Sequence, residues 1–275
     1  MIKKKLGQIR YVKNIRQVWR LLTSKVKSIE VAINMVCNKR CPGCYVRYLR
    51  EDQEKLFMSP EDIKEICKKY KPAHINITGG EPTLNPQHLD IIKAIPKSVI
   101  ISLVTNGDTL NGKKLRKLKE AGLNTLQISY GSNYNMDRNE EIAILAKQYA
   151  GLNVCLSVVN IYKERENIKK GLEICEKNGY HLLYNVPGVG LEKEFDYQAY
   201  FTYRKHPLVR EDNMFWAGCD VCPAGIQKFY IATDKTLYPC DRMHNDGYDS
   251  YEEMCKNYKC KGKTYCRMYD VNDEV

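Results

Sequence analysis

A repeated alternation limits the fold of this chain more than any single residue does. Six short runs rich in β-branched residues, at 28–34, 74–78, 99–104, 125–129, 153–159 and 181–186, are separated by longer charged segments with helical spacing. Ser59-Pro60-Glu61-Asp62 opens one such segment as a helix should open, with a capping hydroxyl, a proline at the first helical position and acids in the first turn. Residues 112–121 and 137–149 carry apolar residues three and four apart, and Asn178-Gly179 is a helix stop. Repeated strand-plus-crossover units predict an α/β fold with a parallel sheet buried between helices. Six units are too few to close an eight-stranded barrel, so the expectation is an open, partial (β/α)6 TIM-like barrel over 28–187. Chemistry in such sheets gathers at the C-terminal ends of the strands.

The flanks have a different character. Residues 188–218 are rich in aromatics and charge without clear periodicity and read as a linker. Residues 219–275 form a small Cys-rich module with one clear hairpin, 229–233 and 236–238 around Asp234-Lys235. At the other end, residues 1–27 hold nine Lys and Arg and no acid. Set against the net charge of +11, that leaves a body with 35 basic and 33 acidic residues, so nucleic acid is not an expected partner. Ile9, Val12, Ile15, Trp19, Leu22 and Val26 recur every three or four residues and predict a basic amphipathic helix. Two roles are open for it: docking its apolar stripe on the barrel, or contact with an anionic membrane surface or an acidic partner. No apolar run approaches the roughly 18 residues needed to cross a bilayer. No secretory signal is expected either, which places the protein in the cytoplasm, with membrane association through residues 1–27 as the variant.

Twelve cysteines in a cytosolic chain point away from disulfides. Cys67, Cys155 and Cys175 stand singly in apolar patterns and read as small buried hydrophobes. Cys37, Cys41 and Cys44, in CNKRCPGCY, are spaced C-x3-C-x2-C directly after the first strand. Structural zinc needs four ligands, usually from two separated pairs. Three thiols in one short loop fit an iron–sulfur cluster better, with one iron left open.

This arrangement resembles the radical S-adenosylmethionine (SAM) superfamily, and the resemblance extends past the cysteines. Ile77-Thr78-Gly79-Gly80-Glu81-Pro82 ends the second strand and matches the family's Gly-Gly-Glu element, where glycines let backbone approach a ligand and a carboxylate can accept from an ammonium. Thr105-Asn106-Gly107 ends the third strand in a family-like way, and Gln127–Gly131 looks like the family's Ser-Leu-Asp-Gly stretch, with Tyr130-Gly131 in place of Leu-Asp-Gly. Gly43 stands where many relatives have an aromatic residue, and Tyr45 follows the third cysteine. The resemblance implies that Cys37, Cys41 and Cys44 hold a [4Fe–4S] cluster whose open iron binds SAM, cleaved by one electron to methionine and a 5′-deoxyadenosyl radical that takes a substrate hydrogen. It implies SAM-site roles for Thr78, Gly79, Gly80, Glu81, Asn106, Ser129, Arg138 and Ser157, with Glu81 at the ammonium and Arg138 at the carboxylate. An electron donor such as flavodoxin or ferredoxin would supply the electron.

Cys222-Pro-Ala-Gly and the hairpin leading to Cys240 resemble the start of the SPASM and twitch modules of some radical SAM enzymes, with Lys235 in place of the usual turn glycine. Cys219, Cys222, Cys240, Cys255, Cys260 and Cys266 are the candidate ligands there. Six thiols suit one four-cysteine cluster with two spare, two incompletely ligated clusters, a three-cysteine cluster with an open iron, or a zinc knuckle; the reading adopted is one auxiliary iron–sulfur cluster. The resemblance implies modification of a peptide or protein side chain. The alternatives are a small or lipid-linked metabolite at the membrane surface, or a non-catalytic iron–sulfur or zinc protein that binds RNA or relays electrons. No catalytic acid or base is assignable; Asp241, Arg242 and His244 are near Cys240 in sequence only.

Overall fold

The computed structural model describes residues 12–42, 44, 46, 53, 55–185, 192–211, 224–240 and 247–258. Its centre is a single nine-stranded sheet in the order β7-β6-β5-β4-β3-β2-β1-β8-β9. The strands are β1 (Ser28–Ala32), β2 (His74–Thr78), β3 (Ile100–Thr105), β4 (Thr125–Ser129), β5 (Asn153–Val159), β6 (His181–Asn185), β7 (Val209–Glu211), β8 (Lys228–Ile231) and β9 (Leu237–Tyr238). All neighbours are parallel except the β8–β9 hairpin. Helices α1 (Ile15–Thr23), α2 (Pro60–Tyr70), α3 (His88–Ala94), α4 (Gly112–Ala121), α5 (Met136–Gln148), α6 (Arg165–Asn178), α7 (Tyr197–Tyr203) and α8 (Tyr251–Asn257) accompany it. This is the mixed α/β, partial TIM-like barrel expected from the alternation.

The strands are buried on both faces, but the two faces differ. Ile29, Val31, Ile75, Ile77, Leu103, Leu126, Ile128, Leu156 and Leu182 pack with helix residues such as Ile63, Ile91, Leu115, Ile142 and Ile168 in one apolar core. Side chains alternate along a strand, so the other face carries Ser28, Glu30, His74, Asn76, Thr78, Ser102, Thr125, Gln127, Ser129 and Ser157. The register sets these residues side by side. The concave face is therefore a polar lumen.

Its floor is a connected network. Ser28 Oγ donates to His74 Nδ1 at 2.8 Å, His74 Nε2 donates to Ser102 Oγ at 2.8 Å, and Ser102 Oγ donates to Asn76 Oδ1 at 2.6 Å. Asn76 Nδ2 donates to Glu30 Oε1 at 3.1 Å, and the buried Lys228 ammonium lies 3.5 Å from the same oxygen. Because Ser102 uses its only proton on Asn76, it accepts from His74, which makes His74 the neutral Nε2–H tautomer. Burial first, then Lys228, pushes the His74 imidazole well below 6.5. The unfolded chain takes up that proton near pH 6.5 while the fold resists it, so stability is lost as pH falls below about 6.5. Urea midpoints at pH 7.5 and 5.5 are expected to diverge in the wild type and to lie closer together in His74→Gln.

Three features depart from the sequence expectations. Residues 192–211, within the stretch read as a linker, contain α7 and a seventh strand. They are held by buried Phe195 and by Asp196, which accepts from Ala199 N to cap α7 and pairs bidentately with Arg165 at 2.7 and 2.8 Å. The β8–β9 hairpin of the Cys-rich module extends the barrel sheet along β1, with Ser28 opposite Lys228 and Val31 opposite Ile231. Lys235 adopts the left-handed backbone at its turn, φ 73°, and its ammonium reaches Asp62 Oδ1 at 2.5 Å. A side chain thus serves where glycine would be conformationally easier.

The third departure is α1. It packs on the barrel, as one reading of the arm expects, but through its polar side rather than its apolar stripe. Lys13 Nζ donates to Gly122 O (3.1 Å) and to Leu123 O, Asn14 Nδ2 to Lys97 O (3.2 Å), Gln17 Nε2 to Val99 O (3.0 Å) and Arg20 Nε to Pro72 O (2.8 Å). Those carbonyls all lie just ahead of β2, β3 and β4. Backbone acceptors at a sheet end need donors, and an apolar stripe has none to give. No described helix is long and apolar enough to cross a membrane.

Candidate active site at the mouth of the barrel

The loop carrying Cys37, Cys41 and Cys44 leaves the C-terminal end of β1, and the end of β2 fixes its start. Gly80 N donates to Asn34 O and Glu81 N to Val36 O, both at 2.8 Å, while Asn34 Nδ2 returns to Glu81 O at 3.1 Å. A Cβ on Gly79 would lie 2.1 Å from Asn34 O, and one on Gly80 2.3 Å from Val36 O. What these two glycines approach is the backbone leading into Cys37. Gly80→Ala is therefore expected to displace the cysteine loop by breaking the Glu81–Val36 register. The expected outcome is an altered rate of thiol alkylation at Cys37 and Cys41 with the urea midpoint shifted little, read by mass spectrometry of the labelled chain.

Glu81 is buried, and its carboxylate accepts from Thr83 N (3.2 Å), Thr83 Oγ1 (2.6 Å), Thr105 Oγ1 (2.9 Å) and Asn106 N (2.7 Å). Burial pushes this carboxyl up against those bonds, which favour the ionised form. Asn106, at the end of β3, donates through Nδ2 to Asn38 Oδ1 at 2.7 Å, and Asn38 and Lys39 both meet Asp108. The loop between the first two cysteines is thereby tied to the third strand. Ser129 and Ser157 are opposite each other on β4 and β5, and Ser157 Oγ accepts from Asn185 Nδ2 at 2.5 Å and Gln127 Nε2 at 3.4 Å. Arg138, in the first turn of α5, donates from Nη2 to Leu110 O at 2.6 Å. Thr78 is buried at the end of β2.

Several residues at this mouth had no motif to mark them. Tyr134 follows β4, and its hydroxyl lies 3.8 Å from Cys41 Sγ. Burial raises its pKa, with Cys41 and Cys44 adding to the rise, so both thiols bear on this phenol. Asn139 is fully buried and bridges Asn106 O (3.2 Å) and Ser129 O (2.7 Å), joining the ends of β3 and β4. Glu164 accepts from Ser132 N and from Asn167 Nδ2, which holds the loop that carries Tyr134.

Cys37, Cys41 and Cys44 are half-buried cysteines outside any disulfide, and Cys44 packs against the small apolar cluster that includes Ala32, Met35, Tyr230 and Ala232. Cys67, Cys155 and Cys175 are buried in apolar surroundings as expected, with the Cys67 thiol pushed up to about 12 by burial. Cys240 at the hairpin base and Cys255 on α8 are likewise outside any disulfide, and Cys255 Sγ contacts Gly225 O at 3.4 Å. Cys219, Cys222, Cys260, Cys266, Gly43, Tyr45, Asp241, Arg242 and His244 lie outside the described residues.

Residues 31–197, more than half the chain, match the sequence model of the Radical SAM superfamily. The chain belongs to that superfamily. Radical SAM membership implies a [4Fe–4S] cluster and SAM. The chain is 31% identical over 158 residues to the Probable GTP 3',8-cyclase of Sulfurisphaera tokodaii, covering 56% of this chain and 46% of that protein. To the Probable GTP 3',8-cyclase of Pyrococcus horikoshii it is 34% identical over 143 residues, covering 50% and 43%. It thus spans less than half the length of these relatives. Its fold is shared with Streptococcus suis SuiB bound to precursor peptide SuiA, at TM-score 0.62 and 16% identity, covering 93% of this chain and 67% of that one. Native anSMEcpe with bound AdoMet gives TM-score 0.61 and 17% identity, covering 88% and 83%.

The residues present fit the radical SAM cofactors. Three cysteines outside any disulfide share one loop at the strand ends, as cluster ligands require. Asn34 Oδ1, at the start of that loop, and Gln127 Oε1, on β4, are buried acceptors without a hydrogen-bond partner among the described residues. Buried acceptors left so are costly and suit a polar ligand that brings donors.

Proposed function

We propose that this chain binds a [4Fe–4S] cluster through Cys37, Cys41 and Cys44, cleaves SAM reductively, and uses the reaction to take a hydrogen from a peptide or protein side chain. The observation that carries the reading is the placement of the three-thiol loop over a polar, buried lumen at the C-terminal ends of the strands. When bound, the cluster and SAM supply a 5′-deoxyadenosyl radical. The chain's own residues hold and shield that chemistry. Gly79 and Gly80 fix the loop, Asn106 and Asn38 brace it, and Glu81, Thr78, Ser129, Arg138 and Ser157 form the SAM-facing rim. Glu81 Oε2 accepts one bond from Asn106 and has lone-pair capacity for an ammonium. Tyr134 covers the thiol side and helps exclude water.

An auxiliary iron–sulfur cluster of SPASM or twitch type belongs to the same reading, with Cys222 and Cys240 as its core ligands and Cys219, Cys255, Cys260 and Cys266 as the remaining candidates. Its role would be to relay the electron released when the substrate radical is oxidised, or to ligate substrate. The electron that starts the reaction would come from a flavodoxin or ferredoxin in the cytoplasm. A second reading, a small polar metabolite such as a nucleotide, is favoured by the curated relatives, which are named for GTP. Deuterated peptides and deuterated GTP, offered to the anaerobically reconstituted chain, separate the two. Transfer of deuterium into 5′-deoxyadenosine from peptide supports the first reading; transfer from GTP alone replaces it with the second.

A further inference from the structure

Helix α1 is inverted relative to a helix packed on a protein. Its Gln17 is 3% exposed, whereas Ile15, Trp19 and Leu22 are 78%, 70% and 57% exposed on the opposite side. Beside them runs a groove of about 790 Å³, in which Trp19 and Tyr70 are accompanied by Arg16, Arg20, Lys25 and Lys71 and no carboxylate. The eleven residues ahead of the described chain add Lys3, Lys4, Lys5 and Arg10, again without an acid. Apolar side chains with an aromatic among them, ringed by cations, form the pattern that enters a lipid headgroup layer. The stripe is too narrow to resemble a protein interface of ordinary size, but insertion at a lipid surface needs only a few apolar side chains supported by charge.

We propose that α1 is a docking finger for a bilayer containing anionic phospholipid. Ile15, Trp19 and Leu22 enter the headgroup region, while Arg16, Lys25 and Lys71 hold the phosphates. Each basic residue near such a surface strengthens binding about fivefold. The polar side of α1 is bound to carbonyls ahead of β2, β3 and β4, and the Cys37–Cys44 loop lies at the other end of the strands. Docking therefore turns the barrel mouth away from the bilayer, and substrate arrives from the aqueous side. A substrate embedded in the same membrane would not meet the site.

The test uses the full chain with vesicles of phosphatidylcholine alone or with 30% phosphatidylglycerol, in a Trp216→Phe background so that Trp19 is the sole tryptophan. Co-sedimentation with the anionic vesicles only, together with a blue shift of Trp19 fluorescence, is the expected result. Trp19→Ser, followed by co-sedimentation alone, and separately Arg16→Glu with Lys25→Glu, are expected to weaken binding at least tenfold while SAM cleavage is unchanged. The charge variant leaves the apolar stripe intact and keeps the test decisive if Trp19→Ser fails to fold. Absence of binding to anionic vesicles overturns the proposal, as does binding that both variants leave unaltered. Capture by polyglutamate without vesicle binding overturns it in favour of an acidic protein. A vesicle-free blue shift with sedimentation as a dimer overturns it in favour of a second copy.

Discussion

Cys41→Ala is expected to reduce 5′-deoxyadenosine formation to background in the anaerobically reconstituted chain. The cluster's corners need thiolates at this close spacing, and a methyl group offers iron no ligand. Substitution of Cys37 or Cys44 should do the same. Cys67→Ala, which removes a thiol on the buried side of α2, should leave activity in place and lower stability modestly. The contrast matters because all four positions are cysteines in one half of the chain. A chain in which Cys41→Ala and wild type produce equal 5′-deoxyadenosine would not use this loop as proposed.

Lys228→Met has the largest expected effect on stability. The ammonium lies among lumen residues against Glu30, and both side chains are almost wholly buried. Removing the cation leaves a buried carboxylate without its counter-charge, which costs about 3–5 kcal/mol. Lys228 is on β8 and Glu30 on β1, so the loss falls on the seam where the C-terminal hairpin joins the barrel. The double variant Glu30→Gln, Lys228→Met should recover most of the loss, because a neutral amide can keep the bond to Asn76. Chemical denaturation of the three variants measures both effects. Equal stability of Lys228→Met and wild type would mean that the pair is not coupled as the geometry requires.

The sheet was legible because β-branched runs and helix caps repeat with a regular period. Strands β2, β4 and β5 begin and end where the sequence places them, and Ser59 caps α2 with the full reciprocal capping box. The polar lumen was not anticipated: a parallel sheet buried between helices is expected to be apolar on both faces, and the alternation in SIEVA, HINIT and TLQIS takes its meaning only from the structure. Strand β7 is only three residues long in a charged stretch and carries no periodic signal. Its neighbour Asp196 acts through a partner, Arg165, that is far away in sequence. The α1 helix was legible as an amphipathic pattern, but which face docks depends on carbonyls at the strand ends, and these exist only once the sheet is formed. At the mouth, spacing alone picks out the cysteines. Asn139, Tyr134 and Asn34 are recognisable only by what they bridge.

The central claim is that the three-thiol loop holds a cluster with one iron open to SAM. The most direct measurement is the electron paramagnetic resonance spectrum of the reduced, reconstituted chain, recorded with and without SAM. A [4Fe–4S]⁺ signal that shifts on addition of SAM, and whose SAM-sensitive part is missing in Cys41→Ala, is the expected result. A spectrum indifferent to SAM, or one identical in wild type and Cys41→Ala, would contradict the account.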